Sequence, residues 1–140
     1  MHTVSGGCHC GNIRVQLQLT REPAAYRPRA CDCDFCRKHS AAYVSDPQGS
    51  LHLQIAEAGE AGRYRQGSAQ AQLLLCRRCG VLVAVLFEGD GELHAAANAR
   101  ALDAAVSFGA EQPVSPQILA AADKARRWRE IWFHAVTVSA

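Results

Sequence analysis

No stretch of this 140-residue chain is apolar for long enough to span a bilayer. Charge of a single sign is also missing. Fifteen Lys and Arg stand against thirteen Asp and Glu, a net charge of +2, which is too weak to argue for nucleic acid or an anionic membrane. The first residues, Met1 to Gly7, lack the basic and apolar regions of a secretory signal, so the expected compartment is the cytoplasm. Repeats, low-complexity tracts and an interdomain linker are absent too. What remains is one globular domain over residues 1–140. A hydrophobic fraction of 49% gives it material for an ordinary core.

What the chain does have is cysteine. Seven in 140 residues is unusual for a cytosolic protein, and an odd number cannot pair completely within one chain. A reducing compartment disfavours disulfides in any case. Clustered thiols that do not pair usually bind metal or react.

Hydropathy patterning predicts a mainly β, antiparallel protein. Ile13, Val15, Leu17 and Leu19 alternate with polar residues, as do Leu51, Leu53 and Ile55, the signature of half-buried strands. Gln70 to Leu75, Val81 to Phe87 and Glu92 to Ala97 read as further strands, Val81 to Phe87 being buried on both faces. Gly49, Gly59, Gly62, Gly67, Gly89 and Gly91 punctuate these runs as turns. Asn98 is placed to cap a short turn before Leu102. Gln112 to Pro116 reads as a connection. A helix over about 116–133 follows, with Ser115 as its cap, Pro116 at its first position, and Ile118, Ala122, Ala125, Trp128 and Trp132 on its apolar face. Lys124 and Arg127 are expected outside that face.

The cysteines fall into two sets. Cys8 and Cys10 precede the first alternating strand. Cys76-Arg77-Arg78-Cys79-Gly80 lies between two others and has the spacing of a zinc knuckle, in which a tight turn aims both sulfurs at one metal. Two such pairs close a tetrahedral structural site, with backbone N–H groups and the arginines at 77 and 78 offsetting the thiolate charge. The alternative is four buried thiols without metal. Cys31, Cys33 and Cys36 remain. Three protein ligands leave a tetrahedral zinc with one open position, the arrangement of a catalytic centre. Arg37 and Lys38 follow and would lower thiol pKa values and attract an anionic substrate. His39 or His9 would instead close the site as Cys₃His, and an iron–sulfur cluster is a further option.

Gly7-Cys8-His9-Cys10-Gly11, Cys31-Asp32-Cys33-Asp34-Phe35-Cys36-Arg37-Lys38 and Cys76-Arg77-Arg78-Cys79-Gly80, in this order, resemble the glutathione-dependent formaldehyde-activating enzyme family, also called the centromere-protein-V-like family. The resemblance runs over about 6–103 and includes Gly62-Arg63-Tyr64 and the segment from Asn98 to Asp103. It implies an antiparallel β-tent fold, a structural Zn²⁺ at Cys8, Cys10, Cys76 and Cys79, and a catalytic Zn²⁺ at Cys31, Cys33 and Cys36. It also implies a carbon–sulfur lyase that joins glutathione and formaldehyde into S-hydroxymethylglutathione. Cys-Asp-Cys-Asp stands at 31–34 where Cys-His-Cys-Ser is the commoner form.

The remaining polar residues carry blander expectations. His52 and His94 fall on polar phases of their strands and should be exposed. His134 ends the last helix, where a cation suits the dipole. Asp32 and Asp34 are either an acid–base pair or loop charges. The competing function is a noncatalytic zinc module, with a closed second site, that docks a protein or nucleic acid through Arg126, Arg127 and Arg129.

Overall fold

The structure, a computed structural model, describes residues 1–103 and 105–140. Along the chain run β1 (His2–Gly7), β2 (Ile13–Leu19), β3 (Arg29–Cys31), α1 (Asp34–Lys38), β4 (Ala42–Val44) and β5 (Ser50–Ile55). They are followed by β6 (Ala61–Tyr64), β7 (Ala71–Cys76), β8 (Leu82–Gly89), β9 (Glu92–Asn98), β10 (Gln112–Val114), α2 (Ala121–Ile131) and β11 (Ala135–Ser139). The strands make two sheets, of order β1-β2-β5-β11 and β10-β3-β4-β9-β8-β7-β6. The fold is mainly β with a C-terminal helix. Most pairings are antiparallel as expected, but β10 joins β3 and β11 joins β5 in parallel.

Alternation on β2 and β5 does what it predicts. Ile13, Val15, Leu17, Leu19, Leu51, Leu53 and Ile55 are all buried. They pack with Leu74, Val83, Leu86 and Phe133 into a core between the sheets. Leu82 to Phe87 are all buried because the larger sheet is covered twice, by the smaller sheet on one face and by the helices on the other. The second face holds its own cluster, in which Leu73, Val85, Phe87 and Ala96 meet Cys33, Cys36, Ala125 and Trp132. The β7–β8 ladder shifts register at Leu74/Leu75. Asn98 caps the turn after β9, accepting from the Arg100 N–H at 3.2 Å and donating to the Leu82 carbonyl at 2.9 Å.

Several expectations need correction. The last helix starts at Ala121, not after Ser115; Pro116–Ile118 is a separate 3₁₀ turn. Ile118 is 80% exposed and Ala122 is exposed, so of the expected apolar face Ala125 and Trp132 are buried and Trp128 is half-buried. Gln112–Val114 is a strand, and Gly62 lies inside β6 rather than in a turn. His94 is 3% exposed. It shares the β9 face of Ala96, packs on Phe87 at 6.1 Å between ring centroids, and meets the His134 ring at 5.0 Å. Alternation identified that face as the other one, but not that a C-terminal segment covers it. No helix of the described residues is long and apolar enough to cross a membrane.

Candidate metal centres and the adjoining cavity

Two hairpin knuckles bring the first cysteine set together. In the first, the Cys8 N–H donates to Ile13 O at 2.9 Å and Gly11 N–H to Cys8 O at 3.3 Å. In the second, Cys76 N–H donates to Val81 O at 3.0 Å and Gly80 N–H to Cys76 O at 2.8 Å. Each turn needs left-handed backbone, with φ of +87° at Gly11 and +80° at Gly80. A side chain at either place would touch nothing within 4 Å, so the backbone conformation, not space, accounts for the glycine.

The sulfurs of Cys8, Cys10, Cys76 and Cys79 lie within 4.8 Å of one another. Cys8–Cys10 and Cys10–Cys76 separations are 3.8 and 3.6 Å. A tetrahedron with Zn–S of about 2.3 Å has edges of roughly 3.8 Å, so the donor set fits a zinc ion. The Ile13 N–H points at Cys8 Sγ from 3.2 Å. Burial opposes ionisation of Cys79, yet the backbone N–H groups of Cys10 and Val81 bring its pKa down to about 6. Arg78 pairs with Glu57 at 2.6 Å, and Arg77 reaches the Gly59 carbonyl at 3.4 Å. Neither donates to a sulfur among the described hydrogen bonds, so the backbone supplies the contacts expected of them.

The second set forms where β3 runs into α1. Cys31 ends the strand. Cys33 caps the helix, accepting from the Cys36 N–H at 3.4 Å. Cys36 is one turn further on. The three sulfurs also lie within 4.8 Å of one another, and this donor set suits the same kind of ion. A proton shared with Cys36 draws the Cys31 thiol down to about 6, against its burial. The same sharing and burial push Cys36 up. Tyr43 Oη stands 3.2 Å from Cys36 Sγ, and Gln66 Nε2 stands 3.8 Å from Cys33 Sγ.

No histidine joins either set among the described residues. His39 packs its ring on Phe35 at 4.6 Å, and His9 is exposed. The two aspartates do not form an acid–base pair. Asp32 accepts from Ser115 Oγ and from Gln117 Nε2 at 3.2 Å, which ties the segment after β10 to β3. Asp34 is 85% exposed and pairs with Arg37 at 2.6 Å. Arg37 and Lys38 face solvent, so they are not the cations of this site. The basic helix face is divided as well. Arg126 pairs with Asp123 at 2.5 Å, Arg129 with Asp90 at 3.6 Å, and Arg127 turns inward.

A cavity of about 280 Å³ opens onto Cys31, Cys33 and Cys36. Sequence reasoning missed most of its walls. Tyr43 and Gln66 come from β4 and the β6–β7 connection, and no spacing links them to the cysteines. Lys124, Arg127, Trp128 and Ile131 come from α2. Their steps of three and four mark one helix face, a signal that was present but hidden by the charge of two of them.

Comparisons with known proteins agree with this geometry. No curated protein matches the chain. A solved crystal structure of a Rhodobacter sphaeroides protein is similar, with 21% identity, a TM-score of 0.55 and coverage of 96% of this chain and 99% of that one. This similarity shows the fold alone. Residues 3–118 match the sequence model of the glutathione-dependent formaldehyde-activating enzyme. With three cysteine motifs in order and their sulfurs gathered into two metal-competent sets, the chain belongs to the glutathione-dependent formaldehyde-activating enzyme family.

Proposed function

We propose that the chain is a zinc-dependent carbon–sulfur lyase acting on a thiol–aldehyde adduct, such as the S-hydroxymethylglutathione formed from glutathione and formaldehyde. The observation that carries this reading is the trio of Cys31, Cys33 and Cys36 beside a cavity, with no fourth protein ligand among the described residues. In the forward reaction the substrate sulfur adds to the carbonyl carbon. A carbon–sulfur bond forms, the C=O double bond becomes a C–OH single bond, and the thiol proton ends on that oxygen. The reverse reaction breaks the carbon–sulfur bond and returns the proton to sulfur.

When held by the trio, Zn²⁺ supplies a Lewis acid for the negative charge that develops on sulfur or oxygen. The quartet of Cys8, Cys10, Cys76 and Cys79 would hold a closed structural zinc. Leu73, Val85, Trp128 and Trp132 wall the cavity with apolar surface and exclude bulk water. Tyr43 and Gln66 hold the sulfurs of Cys36 and Cys33 in place. A cytoplasmic setting, which keeps thiols reduced, suits seven free cysteines.

The test is exchange between free and S-hydroxymethylated glutathione, followed by NMR with formaldehyde and zinc-loaded protein. The reading expects faster exchange than in buffer, and loss of that acceleration in Cys33→Ser. Exchange no faster than in buffer, or acceleration that survives removal of the second metal, overturns it.

A further inference from the structure

Three cations face the cavity above the second cysteine set. Arg29 precedes Cys31 by two residues on β3, so both side chains leave the strand on one face, and both line the cavity. Lys124 and Arg127 line it from α2, beside Trp128 and Ile131. The Lys124 ammonium reaches over the Gly67 turn, 3.9 Å from where a Cβ on that glycine would lie.

Among the described residues none of the three takes part in an ion pair. The one carboxylate among the described residues that line the cavity, Asp34, is paired with Arg37. Arg29 donates to Ser45 Oγ at 2.6 Å, and Ser45 in turn donates to the Ile131 carbonyl. This holds the guanidinium between β3 and the end of α2. Burial, and then the charge of Arg127, lowers the Arg29 pKa to about 10. Like charges gathered around a cavity without a carboxylate partner create a field that an anion relieves. They are not aimed at the thiols, since the described contacts to sulfur in this site come from Tyr43, Gln66 and a backbone N–H.

Resting on the lyase reading above, we propose that Arg29, Lys124 and Arg127 form a carboxylate subsite that selects thiol substrates bearing an anionic group close to the sulfur. A cavity of about 280 Å³ lined by both the cations and the cysteines is at the small end of ligand pockets, so it suits a compact thiol or the compact end of a longer one. α2 begins at Ala121, past residue 118 where the family match ends. Two of the three cations therefore belong to a part of this chain that the family match does not reach. Guanidinium and ammonium groups together offer both a fork and a point charge to a carboxylate.

The experiment titrates the protein, with cobalt in place of zinc, with 3-mercaptopropionate and with its uncharged methyl ester. The change in the cobalt absorption reads thiol arrival at the metal. The wild type should bind the acid roughly tenfold or more tighter than the ester. Lys124→Gln/Arg127→Gln should bring that ratio close to one, and raising the salt concentration should shrink it in the wild type. Lys124→Arg/Arg127→Lys, which keeps both charges, should retain most of the preference. Equal affinity for acid and ester in the wild type overturns the subsite, as does a preference that survives in the Gln double variant; both leave the lyase reading standing. If neither thiol perturbs the spectrum, the lyase reading falls and the subsite falls with it.

Discussion

Tyr43 Oη lies 3.2 Å from Cys36 Sγ, inside the second core cluster. The contact places a buried hydroxyl on a would-be metal ligand and fixes the direction of that sulfur. Burial raises the pKa of the phenol, which favours the protonated form that can donate to sulfur. Removing a partner of this kind typically costs 10- to 100-fold in metal affinity. Tyr43→Phe should therefore bind the second metal about tenfold more weakly, as read by competition with a chelator. Unchanged affinity would show that the phenol only fills space.

The two cysteine sets should fail differently. Cys76 is wholly buried in the core that joins the sheets, and its knuckle turns the chain from β7 into β8. Cys76→Ser should lose one metal equivalent and several kcal/mol of stability, lowering Tm by about 10 °C or more. Cys33 lies at the start of a five-residue helix beside the cavity. Cys33→Ser should lose one equivalent with a Tm change of only a few degrees. Metal analysis combined with thermal unfolding checks both, and similar Tm losses would show that the sets are equally structural.

A third prediction concerns Asp46, which is 6% exposed. It accepts from Thr20 N–H at 2.9 Å, Thr20 Oγ1 at 2.6 Å, Tyr26 Oη at 2.5 Å and Gln48 N–H at 2.9 Å. Burial works against the carboxylate, but these four donors prevail and hold its pKa at about 2, below the usual 3.8. A depressed folded-state pKa adds stability that is complete above 3.8 and is lost as pH falls through 2. The shift corresponds to about 2 kcal/mol. Asp46→Asn should be less stable by about that amount at pH 7, and the difference should vanish near pH 2. Denaturant titration across this range is the check, and a pH-independent difference would refute it.

His94 works in the same direction, in a higher pH window. It is buried, its Nδ1 has no hydrogen-bond partner, and burial followed by the neighbouring His134 charge lowers its pKa. Below about pH 6.5 the unfolded chain takes up this proton more readily than the folded one. Stability should therefore fall as pH drops from 7 to 5. His94→Leu removes both the orphaned nitrogen and this dependence. The variant should gain on the wild type as pH falls, by Tm at each pH; a constant gap would sink the account.

Much of the fold was legible because local physics decides it. Alternation set the inner faces of β2 and β5, and an unbroken apolar run marked β8 as covered on both sides. Motif spacing identified both cysteine sets, since a knuckle needs only a few consecutive residues and a glycine. The short strands β3, β4, β6 and β10 were not legible. Runs of three or four residues carry too little period to distinguish from loop, and pairing partners remote in sequence make them strands.

The sequence by itself determined the chemistry: which thiols are present, how they are spaced, and which strands turn an apolar face inward. Only the tertiary structure decided the surroundings. It buried His94, and carried Lys124 and Arg127 from a helix more than eighty residues away onto the cavity of Cys31, Cys33 and Cys36. The reason is physical. Ligand spacing is a property of consecutive backbone, whereas the field and shape of a cavity depend on which distant elements cover it.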